Sequence, residues 1–215
     1  MASDRDSSKA PLVGVLALQG DFADHQASLA AFGLRSSQVR RPDQLHGLDA
    51  LVLPGGESTT MIKLLNSEGL WDPLGVALRS GVPVMATCAG LILLSEHVQN
   101  PTQETYGLLP LTVVRNGYGR QSHSGTFALR VETEELPEGL EGTFIRAPRV
   151  IATHGDCEVL ARRDEDPALI RSGSLLAAGF HPELTMGHPV TRMFAEMVRA
   201  WAASPAALSG ASALR

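Results

Sequence analysis

Residues 82–94 read VPVMATCAGLILL, a nearly continuous apolar run in which Cys88 stands between Thr87 and Ala89-Gly90. A thiol can pack there as a small buried hydrophobe. It can also be a nucleophile, because a cysteine on the turn from a buried strand into a helix faces unpaired N–H groups and the positive end of the helix dipole, which favour thiolate. Such a turn wants little bulk two residues to either side, and Ala86 and Gly90 occupy those positions. A cysteine nucleophile needs a base, and the base an orienting acid. The segment AGFHPELT, residues 178–185, offers both. Pro182 biases His181 toward an extended backbone, in which residues two apart point the same way, so His181 and Glu183 are expected to project together. A carboxylate beside an imidazole accepts its Nδ1–H, fixes the tautomer and stabilises the imidazolium. In LPGGEST, residues 53–59, Gly55-Gly56 can turn a backbone N–H inward as an oxyanion donor. An ordinary turn with a helix cap is the other reading of that pair.

The elements that must carry these residues are legible as alternating strands and helices. LVGVLAL (12–18), DALVLPGG (49–56) and VPVMAT (82–87) have the form of strands buried on both faces. A helix is expected from Asp21, with Phe22, Leu29 and Phe32 inward and Gly33 closing it. A second should open at STTMIKLL, with Ser58 or Thr59 as its cap, and a third over CAGLILLSEH. This alternation implies an α/β fold with a parallel sheet, whose sites form at the carboxyl ends of the strands. From about residue 108 the pattern changes to short strands: LLPLTVV, FALRVET, TFIRAP, EVLARR, and ALIRSGSLLAAGF broken by a turn at Ser172-Gly173. This half is expected to be antiparallel and to extend the sheet. HPVTRMFAEMVRAW closes the fold as a helix, with Val190, Met193, Phe194, Met197, Val198 and Trp201 facing the core.

Composition narrows the classes. The chain has 215 residues, 44% hydrophobic and 19% charged, as expected of a globular domain with a substantial core. The net charge is −5 and the arginines are scattered, so nucleic acid is not an expected partner. Cys88 and Cys157 are the two cysteines, which gives neither a disulfide framework nor a clustered zinc set. A reducing cytoplasm, no bound metal and no membrane segment are the corresponding expectations. The polar stretch 1–11 reads as a disordered leader without the apolar core of a signal peptide, 12–203 as one domain, and 204–215 as a flexible tail.

LALQGDF, LPGGESTT, TCAG, RNGYGRQ, FIRAP and FHPELT occur in that order between Leu12 and Trp201. With them the chain resembles the glutaminase subunits of pyridoxal 5′-phosphate synthase, a branch of the class I glutamine amidotransferases. The resemblance implies a three-layer sandwich, with a mixed, mostly parallel sheet between helices as in flavodoxin-like folds. It implies a glutaminase domain over 12–203 that uses no cofactor. The family's nucleophile falls on Cys88, its base on His181 and its acid on Glu183; backbone N–H groups of Gly56 and Ala89 would form the oxyanion hole. The glutamine-contacting positions fall on Gly56, Glu57 and Ser58, on Arg115, and on Ile145 and Arg146. Arginine suits that task because its planar fork bonds a carboxylate bidentately. The implied partner is the synthase component, a (β/α)8 barrel assembled into a large ring, which receives the ammonia. Three positions depart from the family pattern: Ala86 stands for a glycine, Ser172 for a glutamine, and Ala128 for a glutamate. The alternatives are a glutaminase serving another synthase, such as imidazole glycerol phosphate synthase, or a non-catalytic binding domain on the same scaffold.

Overall fold

The computed structural model describes residues 10–119 and 124–208. Most of the expected leader, the last part of the expected tail and the Arg120-Gln121 end of RNGYGRQ lie outside the described residues. In chain order the elements are β1 (Leu12–Leu16), α1 (Phe22–Ala31), β2 (Arg35–Val39), β3 (Ala50–Leu53), α2 (Ser58–Ser67), α3 (Trp71–Leu78), β4 (Val84–Thr87), α4 (Ala89–Leu94), β5 (Ser95–Gln99) and β6 (Leu109–Val114). They continue as β7 (Gly125–Ala128), β8 (Arg130–Val131), β9 (Glu141–Phe144), β10 (Arg149–Thr153), β11 (Glu158–Arg163), β12 (Asp166–Ser172), β13 (Leu175–Ala178), α5 (Pro189–Ala202) and α6 (Pro205–Leu208).

The main sheet has the order β2-β1-β3-β4-β13-β12-β11-β8. It is parallel from β2 to β13 and antiparallel from β13 outward. Because side chains alternate along a strand, each central strand feeds two cores. Leu51 and Leu53 of β3 join Met61, Leu65 and Leu74 from α2 and α3 on one face. Ala50 and Val52 join Leu29 of α1 and Val190, Phe194 and Val198 of α5 on the other. That division is why β3, β4 and β13 are buried along their whole length, and it makes the three layers expected from the sequence. Among the described residues no helix is long and apolar enough to cross a membrane.

Several local expectations are corrected. The third helix stops at Leu94, and Ser95-Glu96-His97 starts β5 instead. The second half does not simply extend the main sheet: β13 is parallel to β4, β10-β6-β5 form a separate three-stranded sheet, and β7 pairs with β9 alone. The cap of α2 is Glu57, whose carboxylate accepts the Thr60 N–H at 2.8 Å, rather than Ser58 or Thr59. The residues after Ser204, read as part of a flexible tail, begin with the turn of helix α6, which packs on α5.

α5 fixes one helical layer. Pro189 opens it, and the His188 ring both accepts the Val190 N–H and donates from Nε2 to the Glu141 carbonyl. Phe194 is fully buried while Met197 is half-buried. Phe194→Ala should therefore cost about 3–5 kcal/mol of unfolding free energy, and Met197→Ala clearly less. Denaturant titration of both variants checks this; equal losses would contradict the facing of α5.

Candidate active site

Four parallel strands deliver the site from their carboxyl ends. Gln19-Gly20-Asp21 follow β1, Gly55-Gly56 follow β3, Cys88 follows β4, and His181 stands three residues past β13. The strand ends approach so closely that side chains are excluded between them. A Cβ on Gly20, at φ +86°, would lie 1.9 Å from the Gly55 carbonyl oxygen, and one on Gly55 would lie 2.4 Å from His181 Cε1. Gln19 Nε2 donates to the Glu57 carbonyl at 3.0 Å and so ties the first of these loops to the second.

Cys88 has φ 48° and ψ −102°, a conformation few non-glycine residues adopt. Its N–H donates to the Ala178 carbonyl at 2.9 Å, bonding the turn to β13, and its carbonyl accepts the Ile92 N–H at 3.2 Å inside α4. Gly90 is the tight position of the turn, since a Cβ there would meet the Leu53 carbonyl oxygen at 2.2 Å. The methyl of Ala86 points instead into the core between β3 and β13. The departure at Ala86 thus leaves the strained turn intact.

His181 and Glu183 meet, although not on an extended segment. Residues Pro182–Leu184 form a 3-10 turn, and within it His181 Nδ1 lies 2.7 Å from Glu183 Oε1. The His181 backbone N–H donates to the Thr143 carbonyl at 2.9 Å, which anchors the ring's chain to β9. Burial disfavours a charged imidazole here. The interactions with Cys88 and with Glu183 outweigh it and push the His181 pKa up to about 10. Burial likewise opposes the Glu183 carboxylate, but the bond to His181 holds its pKa below the usual range. Asp21 adds a second carboxylate 3.5 Å from His181 Nδ1. Asp21, His181 and Glu183 have donor atoms within 4.8 Å of one another, with His181 Nδ1 engaged to Glu183 Oε1.

A cavity of about 280 Å³ opens over Cys88 and His181. Gly56, Glu57, Ser58, Arg115, Ile145 and Arg146 all line it, so every substrate position expected from the sequence reaches one chamber. Glu183 lies behind His181, and Ala89 opens α4 beneath Cys88, its N–H among the first-turn donors that lack an intrahelical acceptor. At the mouth, Arg115 donates to Glu57 Oε1 at 2.6 Å. Burial works against the Glu57 carboxylate, yet the Thr60 donors and the Arg115 charge keep its pKa lowered. Ser58 donates to Gln103 Oε1 at 2.8 Å. Arg146 has φ +44° and donates its N–H to Ser124 Oγ at 3.2 Å. Cys157 sits outside the cavity on the approach to β11, and burial pushes its thiol pKa up.

A family model described as the SNO glutamine amidotransferase family matches residues 15–200. The chain belongs to this family. Among its relatives, the Streptomyces coelicolor protein named pyridoxal 5′-phosphate synthase subunit PdxT is 48% identical over 195 residues, covering 90% of this chain and 96% of that protein. The Thermotoga maritima protein of the same name is 44% identical over 188 residues, with 87% and 99% covered. A crystal structure described as a glutamine amidotransferase matches with TM-score 0.79 and 41% identity over 87% of this chain and 98% of that one. A chain in the structure of PurLQS from Thermotoga maritima shares the fold at TM-score 0.63 and 19% identity, covering 90% of this chain and 99% of its own.

This member of the SNO glutamine amidotransferase family also lines its cavity with residues to which the sequence assigned no role. Asp21, Ile92 and Asn116 face it, and His25 lies behind Glu183. Asn116 carried a signal, standing next to Arg115, and its φ of +50° is one that asparagine tolerates. Gly55→Ala tests the packing, because its methyl must displace the His181 ring. The variant should keep a cooperative melting transition and react with iodoacetamide at Cys88 about tenfold or more slowly at pH 7, with Cys157 unchanged. Peptide mapping of the two thiols reads both rates.

Proposed function

We propose that the chain hydrolyses L-glutamine to glutamate and ammonia, and that the ammonia passes to the synthase subunit of pyridoxal 5′-phosphate synthase. The observation that carries the reading is Cys88, held at a strained strand-to-helix turn and sharing one cavity with His181, whose Nδ1 meets Glu183 Oε1 at 2.7 Å. The paired charges at its mouth suit an α-amino acid. Arg115 complements an α-carboxylate and Glu57 an α-ammonium, so a zwitterionic substrate replaces one internal ion pair by two. The names of the relatives favour pyridoxal phosphate assembly over another synthase.

In the first half-reaction Cys88 Sγ attacks the side-chain amide carbon, and the carbonyl oxygen becomes an oxyanion that the Gly56 and Ala89 N–H groups would hold. His181 gives its proton to the amide nitrogen, the C–N bond breaks, and ammonia leaves a γ-glutamyl thioester. In the second half-reaction His181, now neutral, takes a proton from water as its oxygen attacks the thioester carbon. The C–S bond breaks, the new carboxyl group releases the water's second proton so that glutamate leaves, and Cys88 and His181 return to their starting state. Glu183 accepts the Nδ1–H throughout and keeps Nε2 turned toward the sulfur. Ammonia protonated in bulk water is no nucleophile, which favours direct transfer to a docked partner. By the family resemblance that partner is a (β/α)8 barrel in a ring, and the cytoplasm is the compartment.

With the synthase subunit present, Cys88→Ala should lower glutamate release by about a thousandfold or more, whereas Cys157→Ser should stay within about twofold of the parent. Arg115→Ala should raise the glutamine KM about tenfold or more with a smaller change in kcat, because its loss leaves an α-carboxylate unpaired. Coupled glutamate and pyridoxal phosphate assays check all three. Full activity in Cys88→Ala would sink the reading.

A further inference from the structure

His25 is fully buried in α1, on the far side of Glu183 from the cavity. Its Nε2 lies 3.1 Å from Thr87 Oγ1 and 3.4 Å from Glu183 Oε1, the same oxygen that His181 Nδ1 meets at 2.7 Å. Two imidazoles thus converge on one carboxylate oxygen, while Glu183 Oε2 has no partner among the described residues. Thr87 is the residue before Cys88, so His25 touches both the strand that carries the nucleophile and the turn that carries the acid.

The charged and titratable groups that face His25 are Glu183, His181, Asp21 and Asp24. Burial outweighs them and lowers its pKa, which leaves the ring neutral at physiological pH. The position of the single ring proton follows from the partners. His25 Nδ1 has none among the described residues. A proton on Nδ1 would let Nε2 accept from the Thr87 hydroxyl, but it would bury an N–H without an acceptor and turn the same lone pair toward a carboxylate oxygen. With the proton on Nε2, the donor bonds Thr87 Oγ1 at 3.1 Å and stands 3.4 Å from Glu183 Oε1, and a lone pair alone goes unmatched.

We propose that His25 is a positioning residue of the site, whose Nε2–H braces Glu183 Oε1 toward His181 Nδ1 and ties it to Thr87 beside the nucleophile. Without this brace the carboxylate, held through Oε1, can pivot about its one remaining imidazole contact. The His181 ring then loses its fixed tautomer and direction, which slows proton transfer more than it weakens glutamine binding.

The inference rests on the glutaminase reading, and its test separates the two. Nitrogen-15 NMR of the histidine-labelled, unmodified chain reads the His25 tautomer directly and needs no turnover. A proton on Nε2 is the expected result, and a proton on Nδ1 would overturn the proposal. His25→Gln carries an amide N–H to about the place of Nε2, whereas His25→Asn falls short of it. Assayed with the synthase subunit, His25→Asn should lose about tenfold or more in kcat with KM within about twofold, and His25→Gln should recover most of the loss. Parent-like kcat in His25→Asn, equal losses in both variants, or a loss confined to KM would each contradict the brace. A parent that releases no glutamate counts against the glutaminase reading instead, and the tautomer then decides the brace by itself.

Discussion

Glu183 is 4% exposed, and a carboxylate taken that far out of water stays ionised only where a cation or several donors meet it. His181 supplies the cation at 2.7 Å, and the requirement is mutual, because the buried imidazole keeps its proton through Glu183 and Cys88. The surrounding structure is arranged around this pair. β9 anchors the His181 backbone, Gly55 clears room for the ring, and His25 closes the side away from the cavity.

The strained turn at Cys88 is the complementary constraint. A positive φ at a cysteine persists only where neighbouring structure over-determines it, and here three central strands do so. β4 is hydrogen-bonded on both sides along its length, the Cys88 N–H is fixed to Ala178 at the end of β13, and Gly90 lets α4 rest against the Leu53 carbonyl at the end of β3. Large apolar side chains on both faces of those strands stabilise the arrangement. The thiol and the imidazole therefore meet because β4 and β13 are parallel neighbours in register, a long-range fact that no local segment contains.

The central strands were legible because burial on both faces leaves continuous apolar runs, as in LVGVL, ALVL and VMAT. β2 was not, since RSSQV is a polar strand at the sheet edge. α4 read too long because no glycine or proline separates Ser95-Glu96-His97 from its apolar run, yet Ser95 turns its hydroxyl back to the Leu91 carbonyl and the chain leaves as β5. At the site, Cys88 and the His181–Glu183 pair stood out by type and spacing, although their meeting depends on a 3-10 turn and not on strand alternation. Arg115, Ile145 and Arg146 came from family resemblance, because a lone arginine or isoleucine carries no local signal. As the cap of α2, Glu57 hid behind two better-known capping residues. His25 was invisible as one polar residue in an amphipathic helix, and its meaning arises when α1 packs over the end of β4.

The most direct measurement is acid quenching of the enzyme, with its synthase subunit, during steady turnover of glutamine, followed by mass spectrometry of its peptides. A glutamyl group bound as a thioester on the peptide containing Cys88 is the expected result. Steady glutamate release with no adduct at Cys88, or with the adduct on Cys157, would contradict it.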